Sequence, residues 1–211
     1  MSLKYLAGKT IRFMFTTNSA IWFERNLTEK LVEYKPKIPV KIDMNSTNQT
    51  IEWLKNQKDK WVINPKEIAA ALNYNHCWPS INTNGKIIGC IKVGYNTPYI
   101  SDFNRVIEMP DNMAFIYDSY ILKEYRDKNL VTYLTAEVLK FLKEKGYTRA
   151  GVHVPSWNKA SIRVCEKLGF KKIIFIKYFR VIGLSILIAK PNEESSMFRE
   201  GRILKGDIIY E

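Results

Sequence analysis

Asp118-Ser119-Tyr120-Ile121-Leu122-Lys123-Glu124-Tyr125-Arg126-Asp127-Lys128-Asn129-Leu130-Val131-Thr132 opens a stretch that closes with Asn158-Lys159-Ala160-Ser161-Ile162-Arg163-Val164-Cys165-Glu166-Lys167-Leu168-Gly169-Phe170. Between Asp118 and Phe170 the pattern predicts a strand, a loop, a helix, a second strand and a second helix. The first strand, Ala114 to Leu122, is apolar and aromatic with Asp118 in its middle, and it runs into a charged turn. The helix follows from Leu130, Val131, Leu134, Val138, Phe141 and Leu142, which recur at helical spacing; Lys140, Lys143 and Lys145 fall in its last turns and Gly146 is placed as a C-terminal cap. First-turn amides of a helix have no internal partners and carry the positive end of its dipole. A helix opened by Arg126-Asp127-Lys128-Asn129 is therefore a ready anion site, strengthened by the two basic side chains.

The second strand is predicted over Arg149 to Val154, and the helix after it is introduced by Asn158, a strong N-cap residue. An Asn opening the helix, Ser161, an active position at Cys165 and a closing Glu166 to Phe170 resemble the GNAT superfamily of acyl-CoA-dependent N-acetyltransferases. Upstream, Asp118-Ser119-Tyr120-Ile121-Leu122-Lys123-Glu124-Tyr125-Arg126 is similar without a gap to that family's strand end, Asp-x-Tyr-Val-x-Pro-Glu-Tyr-Arg. The family's pyrophosphate loop, Gln/Arg-x-x-Gly-x-Gly/Ala, falls on Arg126-Asp127-Lys128-Asn129-Leu130-Val131, where Asn129 and Val131 replace both glycines. An αR backbone at these positions tolerates Asn and Val, so the amides are kept while the added Cβ atoms hold phosphate farther out. The resemblance covers residues 80 to 185, and its wording is nearest the branch of ribosomal-protein N-terminal acetyltransferases.

The resemblance implies an α/β fold with a mixed, splayed β-sheet flanked by helices. It also implies transfer of an acetyl group from acetyl-CoA, bound as co-substrate between the splayed strands, to a primary amine of a small molecule or a protein, with no metal. Pantetheine would pair with the backbone of Ser119, Tyr120 and Ile121. Pyrophosphate would lie on Arg126, Asp127, Lys128, Asn129, Leu130, Val131 and Thr132, with Asn158 and Ser161 beside the donor arm. Asp118 is the candidate for taking the acceptor's proton, and equally a strand carboxylate paired with a basic neighbour. Cys165 stands where the family often has a tyrosine acid, and equally where a small buried residue packs. His153 is a second base candidate or a satisfied core histidine.

Bulk properties frame that expectation. At 211 residues and 46% hydrophobic content the chain is long and apolar enough for one ordinary domain, which excludes wholesale disorder. A net charge of +12 suits a polyanionic partner, including a nucleotide cofactor with several phosphates. Charge is the sole support for a nucleic-acid module, since no helix-turn-helix, zinc or aromatic RNA-binding motif accompanies it. Cys77, Cys90 and Cys165 are odd in number and match no metal spacing, which predicts reduced thiols and a cytoplasmic setting. The longest apolar run, Ile173 to Ala189, is interrupted by Lys177 and Arg180, so it predicts two core strands joined near Gly183 rather than a membrane span.

The remaining elements are fainter. Short strands are expected at Ile21 to Glu24 and Ile38 to Met44, an exposed helix at Thr50 to Lys60, and a helix from Asn64-Pro65-Lys66-Glu67 through Leu72. Asn84-Gly85 between Cys77 to Asn82 and Lys86 to Tyr95 predicts a hairpin. Residues 96 to 113, rich in Asn, Asp and Pro, are expected as a loop or irregular strand. A single domain would span 1–190, with 1–75 walling the acceptor and 76–190 holding the donor, and 191–211 would form a polar tail. The competing hypothesis is an acyl-CoA-binding regulatory or structural protein without turnover, suggested by the replaced glycines and the missing tyrosine. Oligomeric state is left open.

Overall fold

The computed structural model describes residues 15–57, 64–101, 105–181 and 184–191. Its ten strands are β1 (Phe15–Asn26), β2 (Lys41–Asp43), β3 (Ser80–Thr83), β4 (Lys86–Tyr95), β5 (Tyr99–Ile100), β6 (Arg105–Val106), β7 (Met113–Ile121), β8 (Arg149–Pro155), β9 (Lys171–Val181) and β10 (Leu184–Pro191). Among the described residues four α-helices accompany them: α1 (Thr47–Lys55), α2 (Pro65–Asn73), α3 (Leu130–Glu144) and α4 (Lys159–Lys167). Eight strands form one sheet in the order β10-β9-β1-β8-β7-β4-β3-β2, and β5 and β6 pair separately. The fold is thus a mixed α/β sheet flanked by helices, as the sequence predicts.

Each face of the sheet has its own core. Trp22, Phe115 and Tyr120 point to one face, where they meet Trp78, Ile51 and Leu54 of α1 and Ala71 of α2. Trp22 and Phe115 stack there with ring centroids 4.8 Å apart. Phe23, Ile91 and Ile116 point to the other face, covered by Leu130, Leu134 and Val138 of α3 and by Ile162 and Cys165 of α4. Successive side chains of a strand alternate between faces, which is how Trp22 and its neighbour Phe23 serve different cores.

The one parallel pair among the described strands is β7 with β8, and it is short. Pairing runs from Met113↔Arg149 to Ile116↔Val152 and then stops, although β7 continues to Ile121 and β8 to Pro155. The two strands diverge beyond that point, and the sheet opens. On its other edge β7 stays paired with β4, where Lys92 faces Asp118 but Val93 faces Ile116. Tyr117 is the extra residue of a β-bulge, and bulges re-aim side chains beside sites. Here both Tyr117 and Asp118 turn toward the α2 face.

Several expected elements differ from the structure. β1 is three times the expected Ile21 to Glu24 strand, at 12 residues, because pairing to β8 and β9 on its two sides extends it past the apolar stretch. β2 is shorter than Ile38 to Met44, and β3 begins at Ser80, leaving Cys77 in an isolated bridge to Val93. The helix expected at Thr50 to Lys60 begins at Thr47 and is not simply exposed: Thr50, Ile51 and Leu54 are buried. Its early start follows from Thr47 Oγ1 and Thr50 Oγ1 donating to the carbonyls of His76 and Trp78. Residues 96 to 113, by contrast, hold short strands within a loop, as expected: β5 pairs with β6, and Met113 opens β7. Gly183, residues 58–60 and the tail after Pro191 lie outside the described residues.

Candidate active site

The opening between β7 and β8 is a cleft of about 520 Å³ that passes from one face of the sheet to the other. Val131 and Thr135 of α3 and Asn158, Ser161 and Cys165 at α4 line it on one side, and Glu67 of α2 and Ser101 on the other. Tyr117, Asp118, Ser119 and His153 line its waist. Of the predicted site residues the structure therefore brings Asp118, Ser119, Val131, Asn158, Ser161 and Cys165 to one cleft. Tyr120 and Ile121 lie at the strand end, Arg126, Asp127, Lys128 and Asn129 in the loop that leads into α3, and Leu130 and Thr132 in the first turn of α3.

Backbone alternation fixes what the β7 edge offers. Leu122 N donates to Ile88 O at 2.9 Å, so Leu122 turns its amide toward β4, and Tyr120, two residues back, does the same. The amides of Ser119 and Ile121 then point to the β8 side, where the ladder has already ended. Tyr120 directs its ring to the α1 face, against Trp53 at 5.8 Å.

The loop after β7 makes a 3₁₀ turn at Lys123–Tyr125 and then two left-handed residues, Asp127 at φ 60° and Asn129 at φ 61°. The αR expectation for Asn129 is thus corrected: the residue that replaces a family glycine sits in the left-handed region, which Asn tolerates better than most side chains. Segment 35–37 braces this turn. Lys37 N donates to Lys128 O at 3.1 Å, Lys37 Nζ to Asp127 O at 3.3 Å, and Asn129 Nδ2 to Lys35 O at 3.2 Å. The first intrahelical bond runs from Tyr133 N to Asn129 O, so the amides of Leu130, Val131 and Thr132 precede the helix's own ladder. Arg126 Nε donates back to Ile121 O at 3.1 Å, and Lys128 Nζ lies over the Tyr125 ring at 5.0 Å.

At α4, Asn158 Oδ1 accepts from Ser161 N at 3.1 Å, the N-cap expected from sequence. Cys165 is buried, and burial pushes its thiol up to about 12. On the opposite side, Asp118 Oδ2 is 3.0 Å from Lys92 Nζ, which is also 2.7 Å from Glu67 Oε2. Burial alone would depress the Lys92 ammonium, but Asp118 and Glu67 more than offset it and hold it above its ordinary value. Burial raises Glu67, opposed by Lys92. His153 is buried with its ring stacked on Phe115 at 5.8 Å.

Glu67 and Lys92 escaped sequence reasoning. Glu67 has the place of a first-turn acid behind the Asn64-Pro65 cap, where Asn64 Oδ1 accepts from Lys66 N, and that local role hid its reach to the core. Lys92 was the better signal: a lone lysine in the apolar strand Ile87 to Val93 has to be paired if it is buried. Among the described residues no group of three or more His, Cys, Asp or Glu is arranged to hold a metal ion.

Comparison with known proteins agrees with this fold. The profile of the Acetyltransferase (GNAT) family matches residues 44–170. No curated protein matches this chain. Among solved structures, a putative GNAT-family acetyltransferase from Novosphingobium aromaticivorans is similar with a TM-score of 0.54 at 13% identity, over 84% of this chain and 66% of that one. A GCN5-related N-acetyltransferase from Sphaerobacter thermophilus is similar with a TM-score of 0.54 at 9% identity, over 90% of this chain and 57% of that one. A Drosophila protein gives 0.56 at 10% identity, over 85% and 57%. The chain thus spans somewhat under two thirds of the length of these structures, and at such identity the likeness is one of fold.

Proposed function

The chain belongs to the acetyltransferase (GNAT) family, and from that premise we propose that it moves an acetyl group from acetyl-CoA to a primary amine by direct attack. The observation that carries this reading is the cleft itself, which joins an unpaired β7 edge beside α3 and α4 to a carboxylate cluster beside α2. Acetyl-CoA, as co-substrate, supplies the activated thioester carbonyl. Ser119 and Ile121 offer amides to the pantetheine arm and the carbonyl oxygen, with Tyr120 as the spacer between them. Arg126 and Lys128, with the amides from Asp127 and Asn129 through Leu130, Val131 and Thr132, receive the pyrophosphate. Asn158 and Ser161 flank the arm.

On the acceptor side Asp118 takes the proton of the incoming ammonium, leaving a neutral amine. A C–N bond then forms as the C–S bond breaks, with the electron pair and a proton going to sulfur. Cys165 is placed on the donor side as the thiol facing that sulfur. The acceptor is a small molecule or a protein N-terminus; the likeness of Asn158 to Phe170 to the ribosomal-protein branch is the reason to include the latter. Free Cys77, Cys90 and Cys165 support a reducing, cytoplasmic setting.

Calorimetric titration with acetyl-CoA and with CoA lacking its 3′-phosphate, followed by acetyl transfer to a panel of amines and peptides, tests the proposal. Saturable binding that weakens without the phosphate, with transfer to at least one amine, is expected. Binding with no transfer would leave an acyl-CoA-binding regulatory protein in its place.

A further inference from the structure

Lys92 is 1% exposed, in the middle of β4, yet its ammonium reaches carboxylates from two other elements: Glu67 of α2 at 2.7 Å and Asp118 of β7 at 3.0 Å. It also sits over the Trp78 ring at 5.1 Å. A buried ammonium between two carboxylates is costly to desolvate and holds its place only when both neighbours are fixed. Both carboxylates also line the cleft, so the cluster is not closed off inside the core.

Resting on the amine-acetylation reading of this cleft, we propose that Lys92 is a positioning residue that holds the Glu67 and Asp118 carboxylates together at the acceptor end, coupling the α2 wall to the strand that carries the base. The Lys92 cation favours the Glu67 carboxylate, and the Asp118 anion opposes it. The interior is dry enough for both effects to be felt. The other groups facing the cluster are Cys90 on β4, Tyr117 on β7, Ser101 and, across the cleft on β8, His153. Burial keeps the Cys90 thiol and the Tyr117 phenol neutral, the first pushed up to about 12. Tyr117 is in addition fixed by the indole of Trp78, which donates to its oxygen at 2.7 Å.

The acceptor proton then leaves for Asp118 in a site whose net charge, with Glu67 and Asp118 ionised and Lys92 protonated, is one negative. A cationic amine entering from the α2 side neutralises it. Glu67, carried on α2, thereby ties the acceptor wall to the strand that carries the base.

Carbon-13 titration of the Glu67 carboxyl, assigned by its loss in Glu67→Gln, tests this without any acceptor. Asp118→Asn should lower the Glu67 midpoint and Lys92→Met should raise it, because the Asp118 anion opposes and the Lys92 cation favours the Glu67 carboxylate. Asp118→Asn/Lys92→Met should fall between, and it keeps the test available if Lys92→Met alone does not fold, because it removes both partners' charges. With an amine identified, Lys92→Met should lower kcat/KM while donor Kd stays put. Midpoints that do not move, or that move in one sense in both variants, would overturn the proposal whatever the activity. Opposed midpoints with no amine acetylated would uphold the coupled cluster and remove the acetyl-transfer reading instead.

Discussion

Arg126 Nε donates to the carbonyl oxygen of Ile121 at 3.1 Å, tying the one arginine of the loop to the last residue of β7. By alternation, that carbonyl faces the splayed side of the strand. One guanidinium thus links the edge proposed for pantetheine to the loop proposed for pyrophosphate, and its remaining charge lies at the mouth of α3.

Arg126→Glu places an acceptor group against the Ile121 carbonyl and an anion beside the phosphates. Donor affinity should fall at least about tenfold, roughly 1.4 kcal/mol, and Arg126→Ala should lose less. Calorimetry with acetyl-CoA checks both. Unchanged affinity in a folded Arg126→Glu protein would place the phosphates elsewhere.

Gly89 lies opposite Ile121 in the β4–β7 ladder, and a Cβ added there would meet Tyr120 O at 2.6 Å and the Ile121 side chain. A side-chain tip can swing away, but a strand carbonyl cannot. Gly89→Ala should cost about 1–3 kcal/mol of stability, as overpacking usually does. It should also weaken donor binding, because the shift falls on the Ser119 and Ile121 amides. Urea unfolding and calorimetry on the same preparation separate the two effects.

Local chemistry made much of this fold legible. Asn84 and Gly85 adopt φ 48° and 73°, the tight hairpin that the dipeptide predicts, and α3 and α4 begin and end where their caps and periodicity place them. What stayed hidden depends on distant partners. The start of β1, Thr16-Thr17-Asn18-Ser19, lacks the apolar alternation that marks a strand and is extended by its pairing with β9. Glu67 and Asp118 are far apart in sequence and meet only through Lys92, so each looked like an ordinary charge. Asn129 looked like a lost glycine, yet its left-handed backbone keeps the turn, with its side chain bonded to Lys35 O.

His76 gives a pH dependence with a definite sign. Its ring is 3% exposed, Nε2 lies 3.2 Å from Tyr95 O, and burial lowers it from 6.5 to about 4. Between those values the unfolded chain binds a proton that the folded chain refuses. The stability concerned is complete above about pH 6.5 and is lost as pH falls toward about 4, by up to roughly 3 kcal/mol. Urea unfolding at pH 7 and pH 5 should show this loss in the natural protein, and His76→Gln should flatten it. An equal loss in both would assign the acid sensitivity to other groups.

Cys165 is the sharpest test of the donor side. With its thiol pushed up to about 12, it stays protonated across the working range and carries almost no thiolate at pH 8. Iodoacetamide should therefore leave it unmodified in the folded protein while modifying it after unfolding. As an acid it faces a CoA thiolate whose ordinary value is near 8.5, so complete proton transfer is uphill and its help is a hydrogen bond to the departing sulfur. Cys165→Ala should accordingly lower kcat by about tenfold or less, with donor Kd unchanged, and Cys165→Ser should recover part of the rate. Equal rates for all three proteins across pH would make Cys165 a packing residue of the α4 core and leave the sulfur to be protonated by water.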